Sequence, residues 1–135
     1  MVSFKVVIGN KEGKCVQKEI ADPKSGVLFG KKIGDKIDGS SLGFDGYEFE
    51  ITGGSDFCGI PMRKEVPGSL RKQIFATHGV GLRKSAKGIR VRKTVCGNTI
   101  HDKTAQINLK VLVEGSQKLI EAKAPEAKEA AAAAE

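Results

Sequence analysis

The sequence predicts a mainly β protein, built as a small, partly open β-barrel or a curved antiparallel sheet with short helical pieces. Three observations carry this prediction. Short segments of alternating apolar and polar residues recur along the chain, with turn-forming residues between them. Glycine is abundant, with 17 residues in a chain of 135. No stretch before residue 115 sustains a helical apolar period over three turns, which argues against a helical bundle.

The N-terminal half begins with a predicted hairpin. Apolar side chains fall mainly at even positions in residues 2–8, and residues 15–20 resume the alternation after a glycine-bounded loop. Residues 21–46 contain Pro23 and six glycines, which predicts turns with short extended pieces. The clearest period of two follows at residues 47–52, where a third strand is expected.

The second half predicts three more strands and then a change of character. The strands are expected at residues 70–76, 89–96 and 106–113. We expect one folded domain over residues 1–116. Residues 117–135 are rich in Ala, Glu and Lys and have no apolar face, so we expect a low-complexity C-terminal tail that is a short helix or disordered.

Cysteine usage and hydropathy limit the class of protein. Cys15, Cys58 and Cys96 are odd in number and show no CxxC or CxxH spacing, so neither a zinc site nor a disulfide framework is predicted. No secretory segment is apparent, and no apolar run reaches the about 18–20 residues needed to cross a bilayer. We therefore expect a soluble cytoplasmic protein without metal, cofactor or membrane association.

Charge is distributed very unevenly along the chain. Residues 1–59 have a net charge of −1, whereas residues 60–110 contain twelve Lys or Arg and two acids, a net charge of +10. The overall net charge is +7. A folded domain with one strongly cationic region attracts a polyanion, and RNA is the commonest one in a cell.

The cationic region supplies the candidate RNA-binding residues. Many of them occur in pairs separated by glycine or apolar residues, an arrangement suited to successive phosphates of a nucleic-acid backbone. The segment from His78 to Gly88 combines three glycines with cations, as expected of a loop that follows RNA. The candidates are Arg63, Lys64, Arg71, Lys72, His78, Arg83, Lys84, Lys87, Arg90, Arg92 and Lys93.

Residues 51–62, with the sequence ITGGSDFCGIPM, form the most specific motif. Gly53 and Gly54 can take positive φ and allow another backbone to approach closely. Asp56 can accept hydrogen bonds from nearby amides and lock the turn. Gly59 relieves the next bend, and Pro61 fixes φ where the chain becomes extended again. The positions that define this signature turn are Gly53, Gly54, Asp56, Gly59, Pro61 and Met62.

This motif resembles the signature of the small-subunit ribosomal protein S-six-e family, which archaea and eukaryotes share. The likeness covers residues 2–115. It extends through residues 37–40, 43–47, 78–81, 88–100 and 107–111. Eukaryotic members have a long basic C-terminal helix with phosphorylated serines, whereas this chain has no serine after Ser116 and therefore resembles the short archaeal form.

The resemblance implies a structural constituent of the small ribosomal subunit that supports translation within a cytoplasmic ribonucleoprotein. The domain over residues 1–116 would then be a ribosomal β-barrel-like RNA-binding domain. Its partners would be small-subunit rRNA and neighbouring ribosomal proteins. Enzymatic activity, a small-molecule substrate and homo-oligomerisation are not expected.

Two other functions draw on the same residues. Cys58 could act as a nucleophile with His78 or His101 as the base, but no known spacing supports this constellation. A free-standing RNA-binding barrel, acting as a translation or nucleoid factor, would have a similar charge pattern. Only the signature motif argues against that alternative.

The aromatic residues divide into two groups. Phe4, Tyr47, Phe49 and Phe75 have strand spacing and are expected in the core. Phe57 lies within the signature turn, where no alternation buries it. We therefore consider it a candidate for an external contact.

Overall fold

A computed structural model describes residues 3–83 and 87–115, which form a mainly β fold with open sheets. This confirms the predicted fold class. Two 3-10 helices, Lys24–Leu28 and Gly39–Leu42, lie in the turn-rich segment. The seven strands are β1 (Phe4–Gly9), β2 (Cys15–Ile20), β3 (Lys36–Asp38), β4 (Glu48–Asp56), β5 (Arg71–Ala76), β6 (Val91–Cys96) and β7 (Thr104–Val113).

Five strands form the main sheet, in the order β2-β1-β7-β4-β3. Neighbouring strands are antiparallel except β1 and β7, which pair in parallel from Lys5 opposite Gln106 to Gly9 opposite Lys110. The expected antiparallel sheet is therefore a mixed one. β7, the last strand along the chain, occupies the centre of the sheet and joins the β1–β2 hairpin to the β3–β4 pair.

One face of the main sheet provides most of the hydrophobic core. Alternate residues of β1, β4 and β7 are completely or almost completely buried, as their period of two predicts. Tyr47 and Phe49 stack with their ring centroids 5.8 Å apart. Leu28 and Leu42 of the two 3-10 helices pack against the same cluster. The predicted core positions of Phe4, Tyr47 and Phe49 are confirmed.

A one-residue register shift in β4 determines which side chains of the signature turn face inward. Ile51 lies opposite Leu109 and Gly53 lies opposite Asn108, so Thr52 is an extra residue in β4. Odd-numbered residues are buried before this point, whereas Asp56 is buried after it. The shift therefore turns a carboxylate, which regular alternation would have left exposed, toward the interior.

β5 and β6 form a separate two-stranded antiparallel sheet. We call this sheet and its connection, residues 71–96, the arm. On β6, Val95 and Cys96 are buried at the base of the arm and residues 91–93 are exposed, whereas β5 is exposed over residues 71–73 and half-buried at Ile74 and Ala76. Phe75 is 69% exposed, so its predicted place in the core was wrong. Alternation separates the two faces of a strand, but it does not show which face another part of the protein covers.

Other features lie partly outside the described residues. Within residues 3–83 and 87–115, no helix is long and apolar enough to cross a membrane. The predicted tail at residues 117–135 lies outside the described part of the chain, and so does Lys84.

Gly54 and its neighbour Gly53 provide a matched test of the signature turn. A Cβ at Gly54 would collide with the carbonyl oxygen of Gln106 and lie 3.2 Å from the Met62 sulfur, whereas a Cβ at Gly53 has nothing within 4 Å. We expect Gly54→Ala to lower the free energy of unfolding by about 1–3 kcal/mol, because overpacking displaces backbone. Gly53→Ala should change it by less than about 0.5 kcal/mol. Urea unfolding followed by circular dichroism measures both, and equal losses would contradict the close approach at Gly54.

Candidate nucleic-acid interface

The signature turn is a tight hairpin that returns the chain along the end of β4. The Asp56 amide donates to the carbonyl of Ile60 at 2.9 Å, and the Gly59 amide donates to the carbonyl of Asp56 at 2.8 Å. Gly59 has φ +75°, which explains the requirement for glycine there. Gly53 and Gly54 have ordinary strand conformations, so their expected positive φ was wrong and only the close backbone approach at Gly54 applies.

Asp56 connects this turn to the base of the arm. Its Oδ2 accepts hydrogen bonds from Arg71 Nε at 2.6 Å and Nη2 at 2.5 Å, and its Oδ1 accepts one from the Phe57 amide at 2.7 Å. The Cys96 thiol also donates to Oδ2, at 3.7 Å. Arg71 and Cys96 are directly opposite each other in the arm. A single carboxylate therefore contacts both strands of the arm at their base, where the backbone of Cys96 is also hydrogen-bonded to Pro61 and Arg63.

These contacts set the protonation state of the cluster. Burial alone would raise the pKa of Asp56, but the hydrogen bonds from Arg71 and the Phe57 amide, with the charge of Arg71, hold that pKa below its ordinary value. The hydrogen bond to Asp56 raises the pKa of Arg71. Burial, together with the nearby Asp56 carboxylate, raises the pKa of the Cys96 thiol, which favours the neutral donor. An ionised Asp56 with a charged Arg71 is thus the stable arrangement.

The arm is cationic throughout and contains no acid. Eight Lys or Arg lie within residues 71–96, and the nearest acids along the chain are Glu65 and Asp102. Among the described cations of the arm, Arg71 is held by Asp56, and the others have exposed side chains with no acidic partner in the described part of the chain. These exposed cations are Lys72, Arg83, Lys87, Arg90, Arg92 and Lys93.

One face of the arm combines arginine with exposed aromatic rings. Phe75 and Arg92 are directly opposite each other, and the Arg92 guanidinium lies 5.3 Å from the Phe75 ring centroid. Arg71 lies on the same face four pairs nearer the base, and its guanidinium is 4.8 Å from the ring of Phe57. Such pairs are cation–π contacts, and they leave flat apolar surface beside positive charge.

Arg63 differs from the other predicted RNA contacts because its side chain is only 9% exposed. Its Nη2 donates to Glu65 at 2.9 Å, and its buried Nη1 has no hydrogen-bond partner among the described residues. The backbone at Gly79 lies close against this guanidinium, since a Cβ at Gly79 would be 2.8 Å from Nη2. Arg63 therefore packs against the connection between β5 and β6.

The remaining predicted cations are spread around the base and connection of the arm. Lys64 and His78 are exposed, and His78 Nδ1 lies 2.9 Å from the hydroxyl of Thr77. Lys72 donates to the carbonyl of Pro67 at 3.3 Å. A cleft of about 350 Å³ beside the arm is lined by His78 and Arg90, with Arg63 among the other lining residues.

His101 is one candidate base of the alternative nucleophilic constellation. Its Nδ1 lies 3.3 Å from the Thr104 hydroxyl, and the residue helps to form a turn. Cys58 is exposed. In residues 3–83 and 87–115, no group of three His, Cys, Asp or Glu side chains is arranged to hold a metal ion.

Sequence reasoning missed three contributors to this surface. Gly79 packs on Arg63, Lys103 lies beside the signature turn, and Leu70 is 73% exposed at the base of the arm. The only available signal was for Gly79, where a glycine next to a predicted contact suggests close backbone approach. The positions of Leu70 and Lys103 depend on tertiary pairing.

A mainly β domain with an acid-free cationic arm is typical of proteins that contact a polyanion. Comparison with known proteins identifies the family: residues 4–124 match ribosomal protein S6e. The small ribosomal subunit protein eS6 of Nanoarchaeum equitans is 48% identical over 114 residues, covering 84% of this chain and 83% of the relative. The corresponding protein of Methanothermobacter thermautotrophicus is 48% identical over 120 residues, covering 89% and 94%.

A further relative extends this coverage. The small ribosomal subunit protein eS6 of Nitrosopumilus maritimus is 40% identical over 131 residues, which cover 97% of this chain and 93% of the relative. The chain belongs to the ribosomal protein S6e family. The resemblance inferred from the signature turn is confirmed.

The Asp56 cluster predicts a specific dependence of stability on pH. The pKa of Asp56 is lower in the folded protein than in the unfolded chain, so its stabilisation is present above the unfolded value of about 3.9 and is lost as the pH falls through the folded value. We expect Asp56→Asn to lower the melting temperature at neutral pH. The difference from wild type should shrink between about pH 5 and about pH 3. Thermal unfolding across this range measures it, and a difference that does not change with pH would contradict the assignment.

Gly79 tests the support that Arg63 gives to the arm. Gly79 has φ +109°, and a Cβ there would collide with the Arg63 guanidinium. We expect Gly79→Ala to cost about 1–3 kcal/mol from backbone strain and to displace the connection of the arm as well. Gly68→Ala is the matched control, because Gly68 has φ +101° and its Cβ would meet nothing within 4 Å. Thermal unfolding and RNA affinity are compared for both variants. Equal effects on RNA affinity would show that the Arg63 contact does not position the arm.

Proposed function

We propose that this protein is a structural constituent of the small ribosomal subunit in the cytoplasm, and that it binds small-subunit rRNA through the arm. Membership of the ribosomal protein S6e family supports the ribosomal role, since the archaeal relatives are small ribosomal subunit proteins. The charge and shape of the arm support the choice of RNA-binding surface.

The observation that carries this proposal is the unopposed positive charge of the arm. No acid occurs between Glu65 and Asp102, and the cations of the arm other than Arg71 that the structure describes are exposed. Exposed surface cations are usually interspersed with acids, which limits repulsion and non-specific binding. A two-stranded sheet bearing only cations repels itself and gains stability when phosphates approach.

Exposed apolar residues on the arm also support the choice of the arm as the RNA-binding surface. Phe75, Val80, Ile89 and Val91 are between 38% and 69% exposed. An isolated two-stranded sheet is marginally stable and cannot bury such side chains by itself. Contact with a folded RNA would cover these groups while the neighbouring cations meet phosphates.

We divide the predicted set into direct contacts and supporting residues. Arg63 and Arg71 are held by Glu65 and Asp56, so we assign them chiefly to positioning the arm. The exposed cations and His78 are the proposed RNA contacts. The cations are Lys64, Lys72, Arg83, Lys87, Arg90, Arg92 and Lys93.

Replacing Arg90 and Arg92 together with Glu tests the proposed surface. The affinity of the wild-type protein for structured small-subunit rRNA should fall with salt at a log–log slope of about −4 to −5, as expected for about six phosphate contacts. The double variant should lose at least about 1.4–1.8 from the magnitude of this slope. It should also fail to co-sediment with small subunits. Circular dichroism should be unchanged, because both side chains are exposed.

Lys11→Glu with Lys14→Glu is the matched control. These exposed lysines lie in the turn between β1 and β2, and either double variant lowers the net charge from +7 to +3. We expect the control to retain most of the affinity and to join the subunit. Equal losses in both double variants would show that overall charge, and not the arm, governs binding. A protein that sediments away from subunits in lysate would instead favour a free-standing RNA-binding factor.

A further inference from the structure

A second cleft lies at the base of the arm, next to the signature turn. It has a volume of about 370 Å³. Two exposed apolar side chains, Phe57 at 63% and Leu70 at 73%, contribute to its lining. Its ionisable lining residues are Asp56, Arg71, His101 and Lys103.

The backbone of Phe57 is anchored although its ring is exposed. Its amide donates to the carbonyl of Lys103 at 3.1 Å and to Asp56 Oδ1 at 2.7 Å. The Arg71 guanidinium lies 4.8 Å from the ring centroid and is itself anchored by Asp56. The ring therefore stands on a fixed backbone beside a fixed guanidinium, which lowers the cost of ordering it when a partner binds.

The charge around the Phe57 ring indicates which kind of molecule would bind there. Among the described residues, Asp56 is the only acid that lines the cleft, and its carboxylate is buried and paired with Arg71. Lys103 remains as positive charge without an acidic partner among the described residues, next to a flat aromatic surface. A nucleotide matches both features, because its base offers a π face and its phosphate carries negative charge. An apolar protein segment would use the ring but leave Lys103 without a counterion.

We propose that Phe57 is a stacking platform for an unpaired base of the bound RNA, with Arg71 backing the ring and Lys103 beside the adjoining phosphate. This inference rests on the proposed function and adds a contact outside the cationic region from which that function was argued. The signature turn then has two roles, since Asp56 anchors the arm and the next residue contacts a base. Recognition would favour RNA with an unpaired nucleotide at this point over a continuous duplex.

Tryptophan provides a direct reporter because the natural sequence contains none. The Phe57→Trp variant has a single tryptophan at the proposed platform, and stacking of a base should quench its fluorescence. The probe is a single-stranded RNA of about ten nucleotides with a terminal dye, so that anisotropy reports binding independently of quenching. An abasic RNA of equal length provides the phosphates without bases. We expect both RNAs to bind, and only the RNA with bases to quench the introduced tryptophan.

Phe29→Trp is the matched control. Phe29 is 37% exposed, and its ring packs against Phe4 of β1, outside the cationic region. Its fluorescence should not respond to either RNA. A Phe57→Ala variant, checked for unchanged thermal unfolding, should bind the RNA with bases about five- to hundred-fold more weakly. Its affinity for the abasic RNA should stay within about twofold of the wild-type value.

The outcomes separate this inference from the proposed function. Binding of RNA by anisotropy without quenching in the Phe57→Trp variant overturns the base platform and leaves the function of the arm intact. That result would assign Phe57 to a protein neighbour or to solvent. Quenching by the abasic RNA, or equal quenching in the Phe29→Trp control, also overturns the platform. Failure of the wild-type protein to bind any RNA contradicts both proposals.

Discussion

The buried carboxylate of Asp56 links the two parts of this molecule. The main sheet has its own hydrophobic core, whereas the arm consists of two strands that have no core of their own. Asp56 binds Arg71 on one strand of the arm and contacts Cys96 on the other. A buried ionised carboxylate is costly without partners, so the turn, the arginine and the thiol depend on one another. The arm is joined to the main sheet by this cluster together with the backbone hydrogen bonds between Cys96 and residues 61 and 63.

Some arginines of the cationic region bind acids within the protein, and the others are exposed to solvent. Arg71 uses Nε and Nη2 of one guanidinium to reach a carboxylate 15 residues away in sequence, which a lysine ammonium would do less well, whereas Arg63 donates through Nη2 alone to the nearby Glu65. The exposed cations have no comparable partners among the described residues and remain available for phosphates. The positive charge of residues 60–110 therefore includes two guanidiniums, those of Arg63 and Arg71, that are bound to acids within the protein.

Sequence alone predicted the strands with clear alternation and the family, because both depend on local residue patterns. β3 has only three residues, too few for a period to be visible within the turn-rich segment. The inward orientation of Asp56 depends on the extra residue Thr52, and a register shift leaves no mark in a hydrophobic pattern. Phe75 was misplaced because alternation does not show which face of a strand is covered. The partnership of Arg71 with Asp56 required the fold, since 15 residues separate them.

The central position of β7 has a consequence for synthesis. The β1–β2 hairpin and the β3–β4 pair are joined only through β7, which is the last of the described strands to be made. A growing polypeptide therefore carries two half-sheets whose inner edges stay unsatisfied until Val113 at the end of β7 leaves the exit tunnel. By then the residues between Glu65 and Asp102, which include no acid, have already left the tunnel. During synthesis the cationic segment is thus exposed before the main sheet is complete.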